Sequence, residues 1–240
     1  MLIINLDLNG QQEVNNNNHN NSQLNKQNNM RRLPVYLLLD TSGSMAGEPI
    51  EAVKNGVQVM ISSLRNDPQA VETAYLSIIT FDSDARQTVP LTDLASFQMP
   101  DLIATGTTSL GEALKVLSNC IKTEVTKTTA EVKGDWKPLV FIMTDGQPTD
   151  DWQSGLNEFK NVRVGTVVAC AAGSGADTSV LKQITNDVVS LETDQESIKS
   201  FFKWVSASIG VSSTKVGESG TEATGLNQMP PPPAELNIVV

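Results

Sequence analysis

Apolar residues come in short runs separated by longer segments of helical periodicity. The runs are VYLLL (35–39), AYLSIITF (74–81), PLVFIM (138–143) and VGTVVACA (164–171), with a shorter VVSL (188–191). Near-continuous runs of this length predict strands covered on both faces, as in a parallel sheet. Between them, Ile50, Val53, Val57, Met60, Ile61 and Leu64 recur at steps of three and four, the spacing of one helix face. Pro49 suits the first turn of that helix, and Asp67-Pro68 marks its end. A second helix carries Leu114, Leu117 and Ile121 behind a capping-box spacing of Ser109 and Glu112. A short third helix uses Trp152, Leu156 and Phe159, and a fourth covers roughly 178–186. The last presents Ile198, Phe201, Phe202, Val205 and Ile209 as an apolar stripe.

The alternation breaks once. After Phe81 the polar DSD joins two extended segments, which predicts a hairpin and one antiparallel edge strand. Asp82 and Asp84 are therefore expected as turn formers, and Asp150 and Asp151 as the start of the third helix. The fold class that follows is α/β: a Rossmann-like, doubly wound domain with helices on both faces of a mostly parallel sheet of six strands, one edge strand antiparallel.

The pattern covers residues 31–211. Residues 1–30 are Asn-rich, with NNNNHNN and NKQNN, and are expected as a disordered extension. Residues 212–240 contain Pro230–Pro233 and are expected as a Pro-rich tail, either a stiff spacer or a docking segment. The opening MLIINLDLNG lacks a basic front and an unbroken apolar run, so no signal peptide is expected, nor does any stretch reach membrane-spanning length. The expected location is the cytoplasm.

Composition narrows the chemistry. The 240-residue chain carries 27 Asp and Glu against 17 Lys and Arg, which argues against nonspecific nucleic acid or anionic membrane partners. Cys120 and Cys170 each sit in an apolar stretch and read as buried, reduced thiols. The single histidine, His19, lies in the Asn-rich extension, so Ser-His-Asp and Cys-His catalysis are not available to the folded region. Trp136 and Trp152 are expected to pack in the core, and Lys54 and Lys137 to be solvated.

In an open α/β sheet, ligands bind beyond the carboxyl ends of the strands. Asp40 sits at that end of the first strand, with Ser42 and Ser44 in the following loop, where Gly43 and Gly47 permit a tight turn. The loop TGTTSLGE offers Thr107, Thr108 and Ser109, and the strand PLVFIM ends in TDGQPTDD, which places Asp145 at a second strand end. Two carboxylates and several hydroxyls with no soft donor select a hard divalent cation, Mg²⁺ first, with Mn²⁺ or Ca²⁺ as alternatives. So few charges leave the coordination shell incomplete, with room for a carboxylate supplied by a protein partner.

These residues carry a resemblance. DTSGS (40–44), the Thr107 loop and the Asp145-Gly146 strand end resemble, in order and spacing, the three ligand loops of von Willebrand factor A (VWA) domains over about residues 33–210. The family's metal-ion-dependent adhesion site (MIDAS) implies Asp40, Ser42, Ser44, Thr107 and Asp145 as ligand positions. Thr107 is preferred to Thr108 because the family places its threonine after a glycine or similar residue. RRLPVYLLLDTSGSM, ETAYLSIITFDSDARQ, GTTSLGEAL, GDWKPLVFIMTDGQPTDDW and FFKWVSASI further resemble TerY-type proteins of bacterial tellurite-resistance and stress operons. That resemblance implies a cytoplasmic interaction module working beside a protein kinase and a PP2C-like phosphatase.

The competing reading is a metal-dependent phosphohydrolase using the same carboxylates. A haloacid-dehalogenase enzyme wants a second acid where Ser42 stands, a receiver domain wants a set of acids and a late lysine that is not present, and no Walker-type loop occurs. A non-enzymatic role is therefore expected.

Overall fold

A computed structural model describes residues 31–222 and 225–239. The expectations for residues 1–30, His19 included, lie outside them. In chain order the elements are β1 (Leu33–Asp40), α1 (Glu48–Arg65), α2 (Pro68–Thr73), β2 (Ala74–Phe81), β3 (Ala85–Asp93), α3 (Leu110–Glu124), β4 (Leu139–Thr144), α4 (Trp152–Phe159), β5 (Thr166–Ala172), α5 (Thr178–Ile184), β6 (Val188–Leu191), α6 (Gln195–Thr214) and β7 (Asn237–Ile238). A turn of 3₁₀ helix, Gly43–Met45, lies between β1 and α1.

The strands form one sheet in the order β3-β2-β1-β4-β5-β6-β7. β3 pairs antiparallel with β2, β7 antiparallel with β6, and the rest are parallel. The sheet thus has seven strands, not six, and an antiparallel strand at each edge. β1 is central and buried along its whole length. Its period-two geometry sends Val35, Leu37 and Leu39 into a core shared with α1 and α6. Tyr36 and Leu38 enter the opposite core, shared with α3, α4 and α5. Two-sided burial is why the strand reads as an unbroken apolar run. From β1 the chain winds outward in both directions, so the switch point of the topology lies at the carboxyl ends of β1 and β4.

Several boundaries move for identifiable reasons. α1 ends at Arg65, and Asp67 starts α2 instead, accepting from the N–H groups of Gln69 and Ala70 at 3.0 and 3.2 Å. Ser109 makes no capping bond to its own helix. Asp82 and Asp84 do form the hairpin turn: the Asp82 N–H donates to Asp84 O at 2.9 Å and the Asp84 N–H to Asp82 Oδ1 at 3.2 Å. Trp136 is buried, whereas Trp152 is half-buried against the second core. Cys120 and Cys170 are free and buried, and burial raises both thiols, Cys120 to about 11. Lys54 and Lys137 are ion-paired: Lys54 with Glu51 at 2.8 Å and Lys137 with Glu222 at 2.7 Å.

The largest difference concerns residues 212–240. α6 runs on to Thr214, and the following segment returns to the domain. Met229 and Leu236 join the first core, the Trp204 Nε1–H donates to Pro230 O at 2.8 Å, and Asn237 and Ile238 extend the sheet. Apolar positions this sparse carry no periodic signal, which hid the segment's packing. Among the described residues no helix is long and apolar enough to cross a membrane. Leu236→Ala is expected to cost about 2–5 kcal/mol, the range for a buried leucine, read from urea denaturation of the full chain. A change within about 0.5 kcal/mol, typical of surface positions, would place Leu236 outside the core.

Candidate metal centre

Asp40 ends β1 and is 1% exposed. Both of its oxygens are engaged. Oδ1 accepts from the Ser42 N–H at 2.8 Å, and Oδ2 accepts from the Thr144 hydroxyl at 2.5 Å. Thr144 is the last residue of β4 and comes immediately before Asp145. It was not singled out from sequence, although a hydroxyl ending an apolar strand just before the second acid was the available signal. Burial raises the Asp40 carboxyl above the usual range; the bonds from Thr144 and Ser42 oppose this, and the Asp145 charge adds to it.

From Asp40 the polar atoms continue as a chain. Ser42 Oγ and Ser44 Oγ lie 3.0 Å apart, and the Ser44 hydroxyl donates to Asp145 Oδ1 at 2.7 Å. Asp145 is half-buried, and its carboxyl is also raised, chiefly by burial and against the Ser44 bond. Residues 40, 42, 44 and 145 are thus gathered at the switch point.

Thr107 is placed differently. Its N–H donates to Ser83 Oγ at 3.2 Å, and its hydroxyl faces the same oxygen at 3.4 Å. The hydroxyl that turns toward the cluster belongs to Thr108. A Cβ added at Gly146 would stand 3.2 Å from Thr108 Oγ1 and 4.0 Å from Ser44 Oγ, so both hydroxyls flank the same point. Thr108 is 6% exposed, and its hydroxyl bonds no group among the described residues. The signal for Thr108 was geometric, a matter of which of two adjacent side chains faces inward, and adjacency in sequence does not reveal it.

The segment 94–109 holds these groups together. The Thr105 N–H donates to Thr41 O at 2.8 Å, and Gly106 O accepts from the Gly43 N–H at 3.1 Å. The Ser109 N–H donates to Asp82 O at 2.8 Å and its hydroxyl to Ser83 O at 2.9 Å. Gly106 adopts φ +70°, and a Cβ there would meet Ser83 Oγ, so glycine is required both by conformation and by contact.

Among the described residues no three His, Cys, Asp or Glu side chains gather as a metal-binding group. A cation here would rest on two carboxylates backed by hydroxyls. The donor set fits that use: every donor is a hard oxygen, and the Thr108 hydroxyl, unbonded among the described residues, flanks the same point as Ser44 Oγ.

The family model for the von Willebrand factor type A domain matches residues 35–204. An uncharacterized protein of Synechocystis sp. is 32% identical over 146 residues, covering 58% of this chain but only 30% of that protein. The chain therefore spans less than a third of that relative. Among solved structures, a von Willebrand factor type A protein of Catenulispora acidiphila superimposes with a TM-score of 0.56 and 16% identity, covering 75% of this chain and 43% of that one. Proximal thread matrix protein 1 of the mussel byssus, with a zinc-occupied MIDAS motif, gives 0.57 and 19%, covering 75% and 48%. At such identities the structures share the fold.

The raised Asp40 carboxyl has a consequence for stability. The folded state holds this proton more tightly than the unfolded state. Asp40 therefore costs stability as pH rises from about 3.9 through its raised folded value, and the loss is complete above it. Asp40→Asn keeps an acceptor for Ser42 and removes the buried charge. In EDTA at pH 7 its Tm is expected to exceed the parent's by about 2–4 °C, the shift for roughly 1 kcal/mol at this size. Differential scanning calorimetry should show the gap closing toward pH 4.

Proposed function

Because the chain belongs to the von Willebrand factor type A domain family, we propose that its strand-end oxygen cluster is a MIDAS and that the protein is a metal-dependent interaction module. The observation that carries this reading is the bonded chain Ser42–Ser44–Asp145 beside a buried Asp40. Asp40, Ser42, Ser44, Thr108 and Asp145 would hold the cation, with Thr108 in place of Thr107. When bound, the cation supplies an electrophilic point that a carboxylate can complete. The chain's own residues position the oxygens: Thr144 and the Ser42 amide hold Asp40, and Ser44 spans the gap to Asp145.

Hard oxygens with two charges favour Mg²⁺ over softer ions. The partner class is a protein presenting an Asp or Glu side chain. The stretches that resemble TerY-type proteins suggest a cytoplasmic setting in tellurite resistance, stress response or phosphorylation signalling, beside a kinase or PP2C-like phosphatase.

A phosphohydrolase of the haloacid-dehalogenase kind would need a second acid two residues past Asp40, where Ser42 stands. That favours binding over turnover.

Calorimetric titration with MgCl₂ is expected to give a Kd on the order of 10⁻⁴–10⁻³ M, the range of weak hard-cation modules. Asp40→Ala should abolish uptake. Thr108→Val should weaken it about tenfold or more, and Thr107→Val should leave it within about twofold, judged against the usual cost of disturbing a metal site. The reverse ranking of the two threonines returns the ligand role to Thr107. Metal-dependent hydrolysis of p-nitrophenyl phosphate that disappears with Asp40 would establish the enzyme instead.

A further inference from the structure

The loop bearing Thr108 and the loop bearing Asp145 are stitched together by two residues that are not among the proposed ligands. The Thr149 N–H donates to Thr108 O at 2.9 Å. The Thr108 N–H donates to Thr149 Oγ1, and the Thr149 hydroxyl donates back to Thr108 O, each at 3.2 Å. One residue further on, the Asp150 carboxylate crosses to α3. Its Oδ1 accepts from the Gly111 N–H at 3.1 Å, and its Oδ2 accepts from the Glu112 N–H at 2.9 Å. The first amides of α3 are thus capped by a carboxylate from the neighbouring loop, while Ser109 is turned to Ser83.

The backbone is built for this approach. A Cβ at Gly111 would lie 2.6 Å from Trp152 Cα and 2.7 Å from Asp151 O. A Cβ at Gly155 would collide with Gly111 O. Side chains at either position would drive the start of α3 away from the start of α4 and open the Thr149–Thr108 pairing. Among the described residues, the bonds made by Thr149 and Asp150 are the hydrogen bonds between these two loops.

We propose that Thr149 and Asp150 form a latch that fixes Thr108 against Asp145 and thereby sets the affinity of the site for its cation. Asp150 is a positioning residue. The inference rests on the metal-site reading above and extends it to residues outside the ligand set. The Thr108 segment is otherwise tied to the first ligand loop and to the hairpin turn. Without the latch, Asp145 would keep its place after β4 and its bond from Ser44, while Thr108 would lose its ties to the loop that carries Asp145.

The test is MgCl₂ titration calorimetry on the full chain, with melting in EDTA measured alongside. Asp150→Ala is expected to weaken Mg²⁺ binding about 10- to 100-fold, the usual cost of removing a residue that orients metal ligands. Asp150→Asn, which keeps one acceptor, should fall between it and the parent. Thr149→Val should weaken binding and Thr149→Ser should restore it. Two controls separate positioning from charge and from stability. Asp151→Asn removes the same charge one residue away, and Asp67→Ala removes a cap of the same kind at the opposite end of the sheet. Both should keep Kd within about twofold, even where Asp67→Ala melts earlier by the cost of a lost cap.

Parental affinity in Asp150→Ala and Thr149→Val overturns the latch. So does equal weakening by Asp151→Asn, which would reduce the effect to charge, or by Asp67→Ala, which would reduce it to stability. A parent that takes up no Mg²⁺ at millimolar concentration overturns the metal site itself, an outcome distinct from these.

Discussion

The structure depends on keeping the Asp40 carboxylate at the end of a strand buried along its whole length. An ionised acid removed from water is costly unless its oxygens are bonded. Asp40 meets that condition with one backbone amide and one hydroxyl, and the hydroxyl comes from the adjacent strand β4. This requirement links fold to site. β1 and β4 must be neighbours in register for Thr144 to reach Asp40, and that neighbour relation is the switch point of the sheet. Asp145, one residue past Thr144, is then delivered to the same place.

The surrounding loops are held by backbone contacts more than by side-chain packing. Gly43, Gly106, Gly111 and Gly155 each lie close to another backbone segment or to Ser83. Close backbone approach brings carbonyls and amides within bonding distance, as in the Gly43–Gly106 pair at 3.1 Å. Loops joined this way present hydroxyls at defined positions without enclosing them. Exposed Ser44 and half-buried Asp145 keep the cluster open to solvent on one side, which suits a partner approaching from outside.

Much of this was legible in the sequence because the signals are local. The runs at 35–39, 74–81 and 138–143 mark strands buried on both faces, and the stripe from Ile50 to Leu64 marks α1. Asp40, Ser42, Ser44 and Asp145 were legible as strand-end polar residues. What escaped depends on contacts between distant segments. β7 is two residues long and exists through its pairing with β6, so no periodicity announces it. Which of Thr107 and Thr108 lies beside Ser44 depends on which side chain Ser83 draws away. Asp150 read as the start of its own helix because acids favour helix N-termini, and it does serve a helix N-terminus, but that of α3.

The polar chain also bears on why affinity at such a site should be modest. The Ser44 hydroxyl donates to Asp145, and the two serine oxygens are mutual partners. A cation held by these oxygens must displace the proton of Ser44 from the carboxylate, exchanging a charge-assisted hydrogen bond for ligation. That exchange lowers the net gain. It also keeps the acids near each other before the cation arrives, so little further ordering is needed. With only two carboxylates, a cation's charge is at most balanced by the site, and each bonded oxygen of Asp40 shares its charge with a donor. Electron density from an external carboxylate therefore adds more here than at a site rich in acids, and partner binding and cation binding should strengthen each other by the same factor.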